Sequence, residues 1–254
     1  MPIWYKILTF FLLEGIKIIN TLNETHLHRT LKSIYALGIP GSKMEAPVGD
    51  YIADILAPDG SITEIQTGSL SHLSKKIAGL IADGRKIRVV YPLATEKYIE
   101  TRTLDGKTRR RKSPTKKNIY SIFRELTGLC GILLDKKFYL EVPEIIMTEE
   151  RTETEDAVQS KNGRRRFKKN WTKTGKRLEE LKNTHVFHGK KPYVGLIPSG
   201  LDEIFTFTDF FTEIKKKEPH VKTDEARLAL WCLCHMGIVV RGEKKGRSYT
   251  YSLN

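Results

Sequence analysis

The sequence predicts an α/β protein in which helices cover a mixed β-sheet. Apolar residues recur at helical spacing in residues 24–37 and 70–83, a strand pair with a turn lies between these two segments, and a compact apolar run follows at residues 86–93. Helices that alternate with strands in this way indicate a sheet with helices packed on its faces. The chain has 254 residues, which is enough for one large domain or two ordinary ones.

The first predicted helix lies in LNETHLHRTLKSIYALGIPG, residues 22–41. Asn23 is the predicted N-cap, Leu27 and Leu31 lie on the apolar stripe, and Gly38 ends the helix. A second face of the helix carries polar residues four apart in the chain: Glu24, His28 and Lys32.

A β-hairpin is predicted from about residue 45 to residue 67, with its turn in APDGS. The apolar spacing of SLSHLSKKIAGLIADG then predicts an amphipathic helix that ends at Gly84. The β-rich run KIRVVYPL predicts a buried strand. Residues 1–100 are therefore predicted as the core, and residues 101–199 as a basic region that completes or extends it.

The last segment, residues 200–254, predicts a separate module. A helix is expected in FTFTDFFTEIKKK, and a second helix, capped by Thr223, in KTDEARLALWCLCHMGIVV. The segment IVVRGEKKGRSYTYSL follows as a hairpin with Gly246 in its turn. Helix, helix and basic hairpin is the element order of a winged-helix module.

The charge of the chain favours polyanionic partners, either nucleic acid or an anionic membrane surface. The 44 Lys and Arg exceed the 30 Asp and Glu, giving a net charge of +14. Three cysteines form no framework, which suggests a reducing compartment. The N-terminal segment MPIWYKILTFFLLEGIKII is apolar but interrupted by charges, so a core or partner-binding helix is predicted rather than a membrane span. We expect a cytoplasmic protein.

The hairpin YIADILAPDGSITEIQTG brings two carboxylates together if it is symmetric about Asp59. Asp54 and Glu64 are then directly opposite, with Cβ atoms about 5 Å apart, and Gln66 shares their face. Two carboxylates this close repel unless one is protonated or a cation lies between them. Oxygen ligands suit Mg²⁺, with Mn²⁺ as a substitute, and a bound metal would polarise a phosphate. The alternative is a solvated face with ordinary surface carboxylates.

Asp54, nine residues and then Glu64-Ile65-Gln66 resemble the motif of the PD-(D/E)XK, or restriction-endonuclease-like, nuclease superfamily. The resemblance covers about residues 20–93 and rests on a short, degenerate motif. It implies that Asp54 and Glu64 bind metal, that Gln66 takes the place of the lysine that activates water, and that Glu24 is an auxiliary acid. The rest of the chain resembles an uncharacterised bacterial family with this core and a C-terminal helical module.

The glutamine is the departure that matters most, because it can hold a water but carries no charge to stabilise hydroxide. Some members of the superfamily take a lysine from the next helix, where Lys75 and Lys76 are the candidates. A decayed site that only binds DNA is the other possibility.

Two basic tracts, at residues 101–117 and 161–177, and the terminal hairpin are predicted to contact phosphates. Residues 161–177 hold nine Lys or Arg and no acid, and Phe167 and Trp171 could stack on unpaired bases. A solvated charge run is the alternative. The predicted nucleic-acid-binding residues are Arg109, Arg110, Arg111, Arg164, Arg165, Arg166, Lys168, Lys169, Trp171, Arg241, Lys244, Lys245 and Arg247.

The resulting hypothesis is a Mg²⁺-dependent DNA endonuclease with a winged-helix-like tail, with a homodimer plausible because such cores often cut both strands. The resemblance places it in repair, recombination, mobile-element or defence systems. The first rival is a non-enzymatic DNA-binding regulator with a degenerate core. An RNA-processing protein is a third option, suggested by the aromatic residues of the tract at 161–177.

Overall fold

The computed structural model describes residues 25–160, 163 and 165–254. The predicted N-terminal apolar helix, Asn23, Glu24 and Arg164 lie outside the described residues. The predicted fold class is confirmed at the level of an α/β protein with a mixed sheet flanked by helices.

Helix α1 spans His26–Leu37, and Thr25 is its N-cap, with a side chain that accepts a hydrogen bond from the N–H of His28 at 3.3 Å. The prediction that Asn23 caps this helix is therefore wrong. The hydroxyl of Thr25 lies at the correct offset from the first turn to satisfy one of its unpaired N–H groups. The helix ends at Gly38, as predicted.

Three antiparallel strands replace the predicted hairpin: β1 (Lys43–Val48), β2 (Tyr51–Leu56) and β3 (Ile62–Ile65). The turn between β2 and β3 is closed by Gly60, whose N–H donates to Ala57 O at 3.0 Å and whose φ is +81°. Ile55 pairs with Thr63 across this turn, so residues equidistant from Asp59 are opposite each other, as predicted.

A 3₁₀ turn at Leu70–Leu73 leads into helix α2 (Ser74–Ala82), so the predicted helix begins less regularly than its apolar spacing suggests. Strand β4 (Ile87–Val90) follows and pairs in parallel with β3. Ile77 and Leu80 of α2 are fully buried against one face of the sheet, whereas Leu27 and Leu31 of α1 belong to the core of the other face.

The middle of the chain extends the same sheet. Strands β5 (Leu93–Arg102), β6 (Thr108–Lys112), β7 (Phe138–Val158) and β8 (Lys169–Phe187) give the order β1-β2-β3-β4-β7-β5-β6, with β8 paired to β7. Between β6 and β7 lie two 3₁₀ segments, Ile119–Ile122 and Thr127–Leu129, on either side of helix α3 (Phe123–Leu126). Much of the basic tract at 161–177 is thus strand, not a loop.

The C-terminal part contains α4 (Lys190–Val194), β9 (Phe205–Thr206), α5 (Phe207–Lys217), α6 (Thr223–His235), β10 (Val239–Lys245) and β11 (Ser248–Leu253). The strands form a second sheet in the order β10-β11-β9. Lys222 rather than Thr223 holds the N-cap position of α6, because its N–H donates to the carboxylate of Glu225 at 3.0 Å.

The C-terminal part packs on the main sheet through a shared core. Buried side chains of α5 and α6, such as Phe210 and Leu233, belong to the same hydrophobic cluster as Phe123 and Leu140. Ser121 donates to the buried carboxylate of Glu225 at 2.7 Å. In the part of the chain that the structure describes, no helix has both the length and the apolar character needed to cross a membrane.

Candidate active site

The carboxylates of Asp54 and Glu64 each accept a hydrogen bond from the backbone of the other residue's strand. The N–H of Asp54 donates to Glu64 Oε1 at 3.3 Å, and the N–H of Ile65 donates to Asp54 Oδ2 at 2.8 Å. Each carboxylate therefore satisfies a backbone donor of the opposite strand. This reciprocal arrangement fixes Asp54 in the middle of β2 beside Glu64, which lies just before β3 passes into the loop that leads to α2.

Glu64 is a buried carboxylate, with 3% of its surface exposed, and it forms an ion pair with Lys76 of helix α2. Lys76 Nζ lies 2.6 Å from Glu64 Oε2 and also donates to Ile52 O at 2.6 Å. Burial and the nearby charge of Asp54 raise the pKa of Glu64 above its usual value, while Lys76 acts in the opposite direction. The lysine thus favours the ionised form of a carboxylate that its surroundings disfavour.

Asp54 lies against helix α1 and remains ionised more easily. His28 Nε2 is 3.5 Å from Asp54 Oδ2 and 2.7 Å from Ile65 O, and since a carbonyl only accepts, this nitrogen carries the proton. Burial alone would raise the pKa of Asp54, but hydrogen bonds from His28 and the Ile65 N–H, with the charge of Lys32, lower it below its usual value. The two carboxylates therefore have pKa values shifted in opposite directions.

The structure does not join Gln66 to this pair by a hydrogen bond among the described residues. Its Nε2 donates instead to Ser69 O at 2.6 Å, which ties the glutamine to the loop after β3. Lys75 is exposed to solvent, one residue before the lysine that reaches Glu64. Asp54, Glu64 and Lys76 are therefore together, whereas Gln66 lies at the side of the group and Lys75 outside it.

Two carboxylates form a donor set that suits Mg²⁺, which is usually held by one or two carboxylates together with water and substrate oxygens. Asp54 keeps 22% of its side chain exposed, so a cation has access to it. No group of three or more acidic, histidine or cysteine side chains with metal-binding geometry occurs among residues 25–160, 163 and 165–254. The pair is compatible with a metal that takes its remaining ligands from water and phosphate.

His28 and Lys32 are the residues around the pair whose role the sequence did not reveal. Lys32 is buried, with 5% of its surface exposed, and pairs with Glu45 of β1 at 2.5 Å. The spacing of four residues placed both side chains on one face of α1, but a single sequence contains no sign that this face meets β2.

The first basic tract forms strand β6 at the edge of the main sheet, and all five of its residues are exposed. The guanidinium of Arg110 lies over the ring of Tyr98 at 4.4 Å and 3.8 Å from Glu100. Neighbours on a strand point to opposite faces, so Arg109 and Arg111 share the face away from Arg110. The strand presents cations on both of its faces.

Two cations of the second basic tract, Lys173 and Arg177, are paired with acidic residues. Strand β8 lies antiparallel to the glutamate-rich strand β7, and Arg177 Nη1 is 2.7 Å from Glu150 Oε1. The guanidinium groups of Arg151 and Arg165 lie 3.6 and 4.1 Å from the centre of the Trp171 ring. These cations lie over the indole ring that was predicted to stack on bases, and the pairing of β7 with β8 brings Arg151 there.

Four further residues of this tract lie just before β8 or at its first position. Arg166 lies over the ring of Phe167 at 5.2 Å, and Phe167 is 62% exposed. Lys168 and Lys169 are exposed on the connection into β8. These side chains remain available to a ligand.

The terminal hairpin is exposed over most of its length. Arg241 and Lys244 lie 4.5 and 5.2 Å from the centre of the Tyr249 ring, and Lys245 and Arg247 are exposed near the turn. In helix α6, Asp224 of the first turn pairs with Arg124 of the main body, so this end of the helix already has a protein contact. Trp231, further along α6, is 43% exposed.

Comparison with known proteins identifies a family. Residues 25–188 match the family described as Domain of unknown function (DUF8091). The chain belongs to this family. A protein of Treponema pallidum (strain Nichols) described as "Uncharacterized protein" is 32% identical over 238 residues, which cover 92% of this chain and 86% of the relative. No solved structure matches the chain.

The DUF8091 match coincides with the main sheet. It begins at the N-cap of α1 and ends one residue after Phe187, the last residue of β8. The carboxylate pair, Lys76 and both basic tracts therefore lie within the family domain, and α4 to β11 follow it.

Proposed function

We propose that this DUF8091 protein is a Mg²⁺-dependent DNA endonuclease whose centre is Asp54 and Glu64. The observation that carries the proposal is the reciprocal hydrogen bonding of the two carboxylates, with Lys76 paired to the buried one. Two carboxylates beside a cation, in a protein of net charge +14, are groups that support metal-assisted hydrolysis of a phosphodiester and attraction of a polyanion.

The order of the elements supports the resemblance to the PD-(D/E)XK core. Helix α1, strands β1 to β3, helix α2 and strand β4 follow one another, with β3 and β4 parallel. In that arrangement the acid of the second strand and the acid of the third strand are Asp54 and Glu64. Lys76 then supplies, from α2, the positive charge that Gln66 lacks.

Each residue of the proposed centre has a definable task. Asp54 and Glu64 would hold Mg²⁺, which when bound polarises the phosphate and lowers the pKa of a bound water. His28 orients Asp54, since its Nε2 is close to both Asp54 Oδ2 and Ile65 O. Lys76 keeps Glu64 ionised and ready to bind a cation. Gln66 orients the loop through Ser69 O, and its side-chain oxygen can accept a hydrogen bond from water.

The C-terminal part is proposed to be a winged-helix-like DNA-binding module. Its order α4, β9, α5, α6, β10, β11 and its sheet order β10-β11-β9 support this proposal. The exposed basic hairpin would contact phosphates, as the wing of such a module does. A homodimer would carry two catalytic centres for the two strands of a duplex, and we propose a cytoplasmic setting.

A DNA-binding regulator is the second candidate, and one observation favours it. The hydrogen bond between Gln66 and Ser69 O keeps the glutamine amide away from the carboxylates. A regulator would bind DNA with chelator present and leave it intact.

The test is cleavage of supercoiled plasmid by the purified full chain with Mg²⁺, with Mn²⁺ and with chelator. Asp54→Asn and Glu64→Gln should abolish a metal-dependent nicking or linearisation that the unaltered protein performs. Asp59→Asn is the matched control, because Asp59 is an exposed carboxylate that bonds only its own turn, through Ser61. Intact plasmid in every lane, with DNA still bound, would refute the endonuclease.

A further inference from the structure

Four lysines from separate parts of the main sheet meet near the proposed centre. We define the lysine cluster as Lys97 of β5, Lys117 in the segment before the 3₁₀ turn at Ile119–Ile122, and Lys173 and Lys176 of β8. Lys97 and Lys173 both approach Glu149 Oε2, at 3.6 and 2.9 Å. The charges of the other three lysines all act on the ammonium of Lys176.

The lysine cluster adjoins the loop that carries the proposed centre. Lys176 Nζ donates to Thr67 O at 3.1 Å, and Thr67 is the residue after Gln66 and three residues after Glu64. A ligand that extends from the carboxylates past this loop therefore reaches the lysines next.

Positive charge exceeds negative charge at this position. Glu149 is buried, with 8% of its surface exposed, and forms ion pairs with Arg151, Lys97 and Lys173. In the described part of the chain, Lys176 has no carboxylate within ion-pair distance and bonds a neutral carbonyl instead. Glu125 and Glu225 also act on Lys117, but three cations share Glu149 and Lys176 adds a further charge. An excess of positive charge therefore remains that an incoming anion would neutralise.

The electrostatics of Lys176 agree with this excess. Burial and, next in size, the charge of Lys173 lower the pKa of Lys176 to about 8. The charge of Glu149 raises this pKa but offsets only part of the shift. Lysines that are crowded without sufficient acids are costly for the folded protein, and such costs are commonly accepted at sites that bind a ligand of opposite charge.

We propose that the lysine cluster binds backbone phosphates of DNA adjacent to the phosphate held at Asp54 and Glu64. The inference rests on the proposed function, because it assigns the cluster to the substrate of that site. It makes the cluster, rather than the paired Arg177 of β8, the principal phosphate contact of the family domain. A crowded structural cluster that binds no ligand is the opposing outcome.

The test measures binding of a 20-base-pair duplex by fluorescence anisotropy, with chelator present, from 50 to 200 mM salt. Each lost phosphate contact reduces the slope of log K against log salt by about 0.9. If binding extrapolates to the same value at 1 M salt, Lys173→Gln should weaken it about 15-fold at 50 mM and about 4-fold at 200 mM. Lys176→Gln should act similarly, and Lys173→Arg should retain the slope.

Lys136→Gln is the matched control, because Lys136 is exposed just before β7, at the end of that strand away from Glu149. It removes the same charge and should leave the slope unchanged. Unchanged slopes for both Lys173→Gln and Lys176→Gln, with circular dichroism showing intact folds, would overturn the inference, as would absence of duplex binding by the unaltered protein. Because chelator prevents cleavage, failure of the proposed nuclease centre does not alter this measurement.

Discussion

Replacing Lys76 with methionine removes the cation that lies 2.6 Å from the buried carboxylate of Glu64. The folded protein must then either bury an unpaired charge or protonate Glu64. Burial and Asp54 already raise the pKa of Glu64, and both effects of Lys76 that oppose them, its hydrogen bond and its charge, disappear in the variant. We therefore expect the pKa of Glu64 to rise further.

Protonation sets an upper limit to the loss of stability. At about 1.36 kcal/mol for each unit between pH and pKa, protonating a glutamate whose pKa has its ordinary value of 4.5 costs about 3.4 kcal/mol at pH 7. At pH 5 the cost is about 0.7 kcal/mol. Removing one member of a buried pair generally costs about 3–5 kcal/mol, and protonation of Glu64 caps the loss near the lower end of that range. Since Lys76 keeps 17% of its side chain exposed, we expect a loss of about 2–3 kcal/mol at pH 7.

The direction of the pH dependence follows from the raised pKa. Below the unfolded-state value both states are protonated, so Glu64 contributes nothing. As pH rises through the interval between the unfolded and folded values, the unfolded state ionises first and the fold loses stability. The Lys76→Met variant should therefore approach the unaltered protein in stability near pH 5 and fall below it towards pH 7.

The assay is urea unfolding followed by tryptophan fluorescence at pH 5 and pH 7, with thermal unfolding as a second measure. A loss of about 2–3 kcal/mol lowers Tm by about 4–12 °C in a chain of this size. Lys75→Met is the control, since Lys75 is exposed on the same helix and should change stability by less than about 0.5 kcal/mol. A loss that is equal at both pH values, or no loss, would refute the assigned pairing.

The remaining predictions concern the groups around Glu149. DNA affinity should fall between pH 7 and pH 9 as Lys176, with its pKa of about 8, loses its charge. In fluorescence anisotropy, the DNA affinity of Lys176→Gln should depend less on pH than that of the unaltered protein. Burial opposes ionisation of Glu149, but Lys173 and Arg151 lower the pKa of Glu149 to about 2. The ionised carboxylate therefore stabilises the fold fully above about pH 4.5, and this contribution is lost as pH falls towards 2. Glu149→Gln should therefore destabilise the fold more at pH 7 than at pH 3 in urea unfolding; an equal loss would contradict this. Trp171→Ala should lower Tm but leave the salt slope of DNA binding unchanged, because Arg151 and Arg165 already cover the ring.

The turn chemistry made the most local part of the site predictable. Pro58, Asp59 and Gly60 fixed the centre of the turn, and the register of β2 and β3 follows from that centre. The end of α1 could be predicted for a similar reason, because Gly38 is itself a residue type that commonly ends helices. The position of its cap was not, because Asn23 and Thr25 are both good N-cap residues.

Contacts between distant segments escaped prediction. The basic tract that contains Lys173 and Lys176 resembles a solvated charge run in the sequence, and only its pairing with the acids of β7 reveals a strand. The approach of His28 to Asp54 likewise depends on how α1 packs on the sheet. Such partners are separated by tens of residues, and one sequence carries no local sign of them.

The central claim is that Asp54 and Glu64 form a metal-dependent catalytic centre. Its most direct test is the fraction of an end-labelled duplex that is cut at protein concentrations where binding is complete, with Mg²⁺ and with chelator. We predict that Asp54→Asn and the unaltered protein both bind the duplex, and that only the unaltered protein with Mg²⁺ cuts it. Equal cutting by the two proteins, or a fully bound duplex that stays intact with Mg²⁺, would contradict the claim.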